Sequence, residues 1–154
     1  MISSKESVSN LWRPSPDTSN RRNVYRFDKN ERTTLFTKEQ FEKIMSNIHP
    51  YDLVAYGELE PFYEELCRWL NLNRGSILLS SGSDAAIKSI FETYVEREDE
   101  VLISLPNYAM FAAYTQMFDA KQVQHFYNED LTIGVDSLIR KINKKTKLII
   151  ISNP

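Results

Sequence analysis

The sequence predicts an α/β fold in which a mainly parallel sheet is covered by helices on both faces. From residue 76 onward, short apolar segments typical of strands alternate with segments of helical periodicity. This alternation is typical of βαβ units, whose parallel strands are buried by the helices that connect them. The chain has 154 residues, 42% of them hydrophobic and 26% charged, so it is long enough to bury a sizeable core.

Residues 1–75 carry predicted helices and no predicted strand. Residues 1–23 are rich in Ser, Asn, Arg and Pro, which predicts a flexible N-terminal arm. Residues 38–48 have apolar positions at helix spacing and follow Thr37, a residue type favoured at helix N-caps. Pro61 suits the first turn of a second helix. We expect the apolar stripe of that helix to consist of Phe62, Leu66, Trp69 and Leu70.

Four strands and three helices are predicted in the rest of the chain. The predicted strands are residues 76–81, 100–106, 121–127 and 147–152. The predicted helices are residues 85–95, 108–118 and 135–142. The last strand is apolar throughout, which predicts a position in the interior of the sheet. Because the sequence stops directly after this strand, we expect it to be a fragment of a longer protein.

Composition and charge argue against several classes of protein. A formal net charge of −2 argues against a general nucleic-acid-binding protein, which needs a basic surface. No apolar run approaches the roughly 18–20 residues of a membrane span, so we expect no membrane partner. With Cys67 as its lone cysteine, the chain is expected to be cytoplasmic. His49 and His125 have no partner at metal-ligand spacing, so no metal site is predicted.

Polar residues follow three predicted strands at the edge where open α/β sheets bind ligands. Ser83 and Asp84 follow Gly82 at the start of a helix, where they either cap the helix or offer its free amides to a phosphate. Tyr108 either covers a strand end or stacks on a flat ligand. Asn153 either forms an Asn-Pro turn or hydrogen-bonds a ligand. From the residues alone, both alternatives stay open at each position.

Five segments occur in the order and approximate spacing of a known family. They are "FDKNER" (27–32), "VAYGELEPFYEELCRWL" (54–70), "SSGSDAAIKSIF" (80–91), "LPNYAMF" (105–111) and the terminal "SNP". They resemble fold-type-I, pyridoxal-phosphate-dependent aminotransferases of class I/II, most closely the histidinol-phosphate aminotransferase branch.

The resemblance implies a partial three-layer αβα sandwich, the first half of the family's large domain. It divides the chain into a flexible arm, a segment that contributes to the small domain and the dimer contact, and the truncated cofactor-binding domain. These parts are residues 1–23, 24–58 and 59–154.

The resemblance also implies which residues hold pyridoxal 5'-phosphate. Ser83 and Asp84 match the positions whose amides bind the cofactor phosphate, which favours the phosphate site over the helix cap. Tyr108 matches the aromatic residue that stacks on the pyridine ring, and Asn153 matches the asparagine that hydrogen-bonds the phenolic oxygen. Tyr56 matches a tyrosine that reaches the phosphate of the neighbouring subunit. A homodimer is therefore implied.

The implied reaction moves an amino group between an amino acid and a 2-oxo acid, with a compound similar to histidinol phosphate as a candidate donor. Asn30 and Glu31 match a segment that approaches the substrate. No catalytic residue is assigned, because the Schiff-base lysine would lie beyond Pro154, and we expect this chain alone to be inactive. Two alternatives stay open: a decarboxylase of amino-acid phosphates with the same fold, and a degenerate, non-catalytic interaction module.

Overall fold

A sheet of three parallel strands organises the C-terminal part of the chain. The computed structural model describes residues 2–11, 22, 24–27 and 30–153. Among these residues the sheet order is β2-β1-β3, and both neighbours run parallel to the central strand. The strands are β1 (Glu100–Leu105), β2 (Lys121–Phe126) and β3 (Thr146–Ile150). The predicted α/β fold with a parallel sheet is confirmed.

The central strand β1 is the most deeply buried element of the described residues. Its four consecutive residues Val101 to Ser104 each expose 1% of their surface or less. Leu102 pairs in register with Val123 of β2 and with Ile149 of β3. A strand that is paired on both sides and covered on both faces has no solvent-facing side. This is why Val101, Leu102 and Ile103 are apolar in succession rather than alternating with polar residues.

Strand β3 lies at an edge of the sheet in the described residues, whereas its apolar sequence predicts an interior position. Its residues alternate between half-buried and exposed, and Ile149 exposes 44% of its surface. Leu148 and Ile150 pack against the core beside Val101 and Ile103. Apolar composition therefore reports the burial of one face of β3, not pairing on both of its sides.

Helices cover both faces of the sheet. On one face, α4 (Gly82–Tyr94) and α5 (Ala109–Met117) pack on the odd-numbered side chains of β1, and the buried cluster there comprises Phe91, Val95, Val101, Ile103 and Tyr114. On the other face, Ser137 of α6 (Val135–Ile139) meets His125, whose register partner Ser104 points away from Ile103. The layers are those of a partial αβα sandwich.

A short helix, α1 (Glu6–Ser9), lies against α5. It falls within the predicted arm of residues 1–23, of which residues 1, 12–21 and 23 lie outside the described part of the chain. None of the helices formed by the described residues is long and apolar enough to cross a membrane.

The chain divides into two compact units, one of Met1–Pro14 with Leu79–Pro154 and the other of Ser15–Leu78. The second unit is helical where it is described. Its elements are α2 (Lys38–Ser46), α3 (Glu60–Leu70) and two 3₁₀ helices, Pro50–Leu53 and Arg74–Ser76. Helix α2 begins as predicted, with a capping box in which Thr37 and Gln40 each accept a hydrogen bond from the other's backbone N–H.

Helix α3 has Pro61 in its first turn, as predicted, but its predicted apolar stripe is wrong. Phe62 and Trp69 are exposed, and the buried residue of the helix is Tyr63. The Arg74 guanidinium lies 3.3 Å from the centre of the Tyr63 ring and donates to the Glu60 carboxylate at 2.9 Å. This hydrogen bond lowers the pKa of Glu60. A cation packed on the ring decides which face of α3 is covered.

The strand predicted over residues 76–81 does not form. Ile77 has extended backbone angles, but the segment pairs with no strand of the described residues, and Leu78 exposes 77% of its surface. Local sequence favours the extended conformation, while a ladder also needs a partner strand, which the local sequence cannot specify.

Replacing Phe91 with alanine should destabilise the unit that contains the sheet by about 3–5 kcal/mol. Phe91 is 1% exposed, and its ring packs 5.7 Å from that of Tyr114 and 5.9 Å from that of Phe118. Urea unfolding followed by circular dichroism measures the loss. The matched control is Ile90→Ala on the exposed side of α4, which should lose less than about 1 kcal/mol. Equal losses would show that the core is not centred on Phe91.

Candidate functional site

The candidate site is the edge of the sheet where all three strands end. Because the strands are parallel, their carboxyl ends meet there, and the loops of residues 106–108, 127–134 and 151–153 leave from the same edge. The first turn of α4 is joined to this edge by two hydrogen bonds to Asp84. The Tyr108 hydroxyl donates to its Oδ1 at 3.0 Å, and the Tyr114 hydroxyl donates to its carbonyl oxygen at 3.5 Å.

The N-terminus of α4 has no side-chain cap. Ser81 occupies the N-cap position without a capping hydrogen bond, and neither Ser83 nor Asp84 is the cap residue. Gly82 has φ +81°, a left-handed conformation that L side chains rarely adopt, and its carbonyl accepts from the Ser80 hydroxyl at 2.9 Å. The positive end of the α4 dipole therefore has no side-chain oxygen bound to its amides, which is the arrangement an anion needs.

Tyr108 presents a partly open aromatic ring beside this helix terminus. It is the N-cap residue of α5 and exposes 51% of its surface. The Phe111 ring forms a T-shaped pair with it at 5.9 Å and 89°, while its hydroxyl is held by Asp84. A half-exposed ring that is held in this way is a candidate to stack on a flat ligand.

The loop after β3 is tied to the ends of the two other strands. The Tyr127 hydroxyl donates to the Ser152 carbonyl at 2.8 Å, and the Ser152 hydroxyl donates to Oδ1 of Asn107. A shallow cavity of about 620 Å³ opens here. It is lined by Pro106, Tyr127, Leu131, Ile151, Ser152 and Asn153. Asn153 is exposed at its mouth.

Four predicted site residues therefore lie in the same unit and around the same edge, namely Ser83, Asp84, Tyr108 and Asn153. The others lie in the unit Ser15–Leu78. There Tyr56 is fully exposed, Asn30 is exposed, and the Glu31 carboxylate accepts from Arg26 at 2.8 Å. The binding roles of all seven residues stay predictions.

Three residues of this edge were not among the predicted site residues: Asn107, Tyr127 and Ser152. Each is a polar residue within two positions of a strand end, and this is the signal the sequence carries for them. Many loop residues share that signal, so only their mutual hydrogen bonds distinguish them.

His125 is buried and has a structural partner. Its Nε2 lies 2.8 Å from the Ser137 hydroxyl, which itself donates to the Gly134 carbonyl at 2.7 Å. Since the Ser137 proton is used there, Nε2 is the donor to Ser137. A Cβ at Gly134 would lie 2.7 Å from the Ser137 oxygen, so a side chain there would displace the Ser137 hydroxyl. His125 thus fastens α6 to β2.

Comparison with known proteins gives a consistent result. Residues 21–154 match the sequence model of the family described as "Aminotransferase class I and II". A histidinol-phosphate aminotransferase from Caldanaerobacter subterraneus subsp. tengcongensis is 28% identical over 133 residues, which cover 84% of this chain and 38% of that protein. Another from Methanococcus aeolicus is 26% identical over 157 residues, 98% of this chain and 40% of that protein. This chain therefore spans less than half the length of these relatives.

Solved structures show the same fold. The histidinol-phosphate aminotransferase of Sinorhizobium meliloti, in complex with pyridoxal-5'-phosphate, superposes with a TM-score of 0.61 at 22% identity over 68% of this chain and 29% of that one. The alanine aminotransferase of Pyrococcus furiosus gives a TM-score of 0.56 at 21% identity over 73% and 30% of the two chains. The predicted partial αβα sandwich is confirmed by this likeness.

The loop of residues 127–134 should lose stability as the pH falls. Two hydrogen bonds from Thr132, from its hydroxyl at 2.6 Å and its backbone N–H at 3.0 Å, lower the pKa of Asp130 below its ordinary 3.8. A carboxyl whose pKa is lower in the folded state stabilises it above the unfolded pKa, and this contribution disappears as the pH falls through the folded pKa. Asp130→Asn should therefore be less stable than the unaltered chain at pH 6, with a difference that shrinks below pH 4.

Thermal unfolding at several pH values measures this difference. Thr132→Val, which removes the hydroxyl donor, should shift stability in the same direction and with the same pH dependence. A stability difference that is constant with pH would contradict the role of the ionised carboxylate.

Proposed function

We infer the function from one premise: the chain belongs to the aminotransferase class I and II family. Pyridoxal phosphate is the cofactor of this family, and we propose that this chain supplies the part of such an enzyme that binds it. The observation that carries the proposal is the convergence of an uncapped helix N-terminus, a half-exposed tyrosine ring and an exposed asparagine at one sheet edge.

The residues at this edge fit the cofactor's chemistry. Pyridoxal phosphate is a flat aromatic ring that carries a phosphate dianion. The first turn of α4, at Ser83 and Asp84, would bind the phosphate through its amides, and Gly82 leaves open space where a side chain would stand. Tyr108 would cover one face of the ring, and Asn153 would donate to the phenolic oxygen. When bound, the cofactor supplies an electron sink for negative charge at the α-carbon of the amino acid.

Asp84 carries a negative charge close to the proposed phosphate, and its side chain has another function. Its carboxylate accepts a hydrogen bond from the Tyr108 hydroxyl, which partly offsets the negative charge. The hydrogen bond holds the tyrosine ring in place while the backbone N–H of Asp84 stays at the helix terminus. We propose that Asp84 acts twice, through its amide on the phosphate and through its carboxylate on Tyr108.

Three lysines of the sheet-containing unit support the proposal that the Schiff-base lysine is not part of this chain. Lys88 forms an ion pair with Glu92 on the surface of α4. Lys121 and Lys147 pair with Glu98 and Asp99 where β2 and β3 begin, at the opposite edge of the sheet from the candidate site.

The complete enzyme, in this proposal, transfers an amino group between an amino acid and a 2-oxo acid, with a compound similar to histidinol phosphate as the candidate amino donor. The names of the relatives support this substrate class. Asn30 and Glu31 would approach the substrate, and Tyr56 would reach the cofactor phosphate of a second subunit in a cytoplasmic homodimer. Residues 24–58 would then serve the small domain and the dimer contact.

Tyr108→Ala should weaken binding of the cofactor ring by about tenfold, which corresponds to the loss of one aromatic stacking contact. The probe is pyridoxamine 5'-phosphate, which has no aldehyde and so forms no imine with surface lysines, and isothermal titration calorimetry measures its affinity. Tyr108→Phe, which keeps the ring but loses the hydrogen bond to Asp84, should have a smaller effect.

The matched control is Tyr94→Ala, which removes an exposed tyrosine at the other end of α4. Its affinity for pyridoxamine 5'-phosphate should equal that of the unaltered chain. The proposed site is refuted if the unaltered chain does not bind the probe, or if Tyr108→Ala binds it equally well.

This chain alone should have no activity. Incubated with pyridoxal phosphate, histidinol phosphate and a 2-oxo acid, it should form no new amino acid, and with pyridoxal phosphate and an amino-acid phosphate that carries a carboxyl group it should release no carbon dioxide. The reason is that, in this proposal, the proton-transferring lysine is not among its residues. Amino-acid analysis and a carbon dioxide assay measure the two reactions. Amino transfer by the chain would contradict the expected absence of this lysine, and carbon dioxide release would favour a decarboxylase.

A further inference from the structure

Asn107 joins three structural elements through one side-chain amide. Its Nδ2 donates to the Ser104 carbonyl of β1 at 2.9 Å. Its Oδ1 accepts from the backbone N–H of Tyr108, at the start of α5, at 2.7 Å. The same oxygen accepts from the Ser152 hydroxyl in the loop after β3. An asparagine amide has two donor hydrogens and two acceptor lone pairs, so three of its four hydrogen-bonding positions are used here.

Ser152 is held from two sides. Its hydroxyl donates to Asn107, and its carbonyl accepts from the Tyr127 hydroxyl at 2.8 Å. Tyr127 is itself fixed, since its backbone N–H continues the β1–β2 ladder by donating to the Leu105 carbonyl at 3.2 Å. The ends of all three strands are thus connected through Ser152, and Asn153 is the next residue along the chain.

This connection places two residues of the proposed cofactor site at fixed positions. Asn107 is adjacent to Tyr108 and bonds its N–H, while Ser152 is adjacent to Asn153. Asn153 is exposed, so little packing orients it, while the half-exposed ring of Tyr108 is held by Phe111 and Asp84. The position of Asn153 relative to Tyr108 therefore depends on the hydrogen bond that Asn107 accepts from Ser152.

We propose that Asn107 is a positioning residue that, through Ser152, sets the distance between Tyr108 and Asn153 and so determines how well the cofactor ring fits. The inference rests on the proposed function, because it assigns the ring of pyridoxal phosphate to the space between these two residues. Asn107 itself touches no reacting atom. Asn107 has no direct hydrogen bond to the first turn of α4, where the phosphate would bind.

The chemistry of the position favours asparagine over similar residues. An aspartate at position 107 would still accept from Tyr108 and Ser152, but its second oxygen would face the Ser104 carbonyl without a hydrogen to donate. A serine hydroxyl carries a single hydrogen on a shorter side chain and would not reach three partners on three elements.

The test separates ring binding from phosphate binding. Affinities for pyridoxamine 5'-phosphate and for inorganic phosphate are measured by calorimetry on the full chain. Asn107→Ala should lower the affinity for pyridoxamine 5'-phosphate about five- to tenfold and the affinity for inorganic phosphate less than twofold. Ser152→Ala should have the same selective effect. Because both variants break one connection, the double variant should bind pyridoxamine 5'-phosphate no more weakly than Asn107→Ala alone.

Asn143→Ala is the matched control. The side chain of Asn143 also accepts from one backbone N–H, that of Lys145 at 2.8 Å, and donates through Nδ2, to Glu100 at 2.7 Å, but it lies where β1 and β3 begin. This variant should lose thermal stability without changing the ratio of the two affinities. Should Asn107→Ala not fold, Ser152→Ala and Tyr127→Phe carry the test, since each removes only a hydroxyl or its hydrogen bond.

Three results would overturn the inference while leaving the proposed function in place. If Asn107→Ala weakens the binding of both ligands equally, the variant has lost structure in general. If it leaves the binding of pyridoxamine 5'-phosphate unchanged, Asn107 does not position the site. If the losses of affinity caused by Asn107→Ala and Ser152→Ala multiply in the double variant, the two residues act separately. If the unaltered chain binds no pyridoxamine 5'-phosphate, the proposed function fails and this inference fails with it, which distinguishes the two cases.

Discussion

The structure depends on the burial of strand β1 between two parallel neighbours. Residues Val101 to Ser104 have almost no exposed surface, so both of their faces must be covered and both of their backbone edges paired. Helices α4 and α5 cover one face, and α6 covers the other. Parallel pairing has a second consequence, since it brings the carboxyl ends of all three strands to one edge. The position of the candidate site follows from how the core is formed.

The site is assembled by hydrogen bonds between segments that lie far apart in the chain. Asp84 and Tyr108 are separated by 24 positions, Tyr127 and Ser152 by 25, and Asn107 and Ser152 by 45. None of these bonds lies within a helix or a strand ladder. They attach exposed loop residues to the rigid strand ends, so residues with little packing of their own acquire defined positions. The helix terminus adds a dipole that favours an anion, and Gly82 permits the turn that leads into it.

The sequence predicted best the features that depend on near neighbours. The capping box of Thr37 and Gln40, the proline in the first turn of α3 and the central strand β1 can all be read from short windows. The failures have one physical cause. Residues 76–81 have the composition of a strand but no partner in the described residues, and α3 buries Tyr63 because Arg74, eleven residues later, lies on its ring. A ladder and a packed face each need a partner that a short window does not contain.

By itself, the sequence determined the alternation of strands and helices, the parallel sheet, and which polar residues stand in the loops after the strands, because these follow from periodicity and local backbone preference. At residues 80–84 it left open a helix cap or an anion site, and the tertiary structure decided that no side chain caps α4. Only the tertiary structure decided the order β2-β1-β3, the contact of Asp84 with Tyr108 and the part played by Asn107. These depend on which distant segments meet when β1 is buried, and that is settled by the packing of the whole unit rather than by any one stretch of residues.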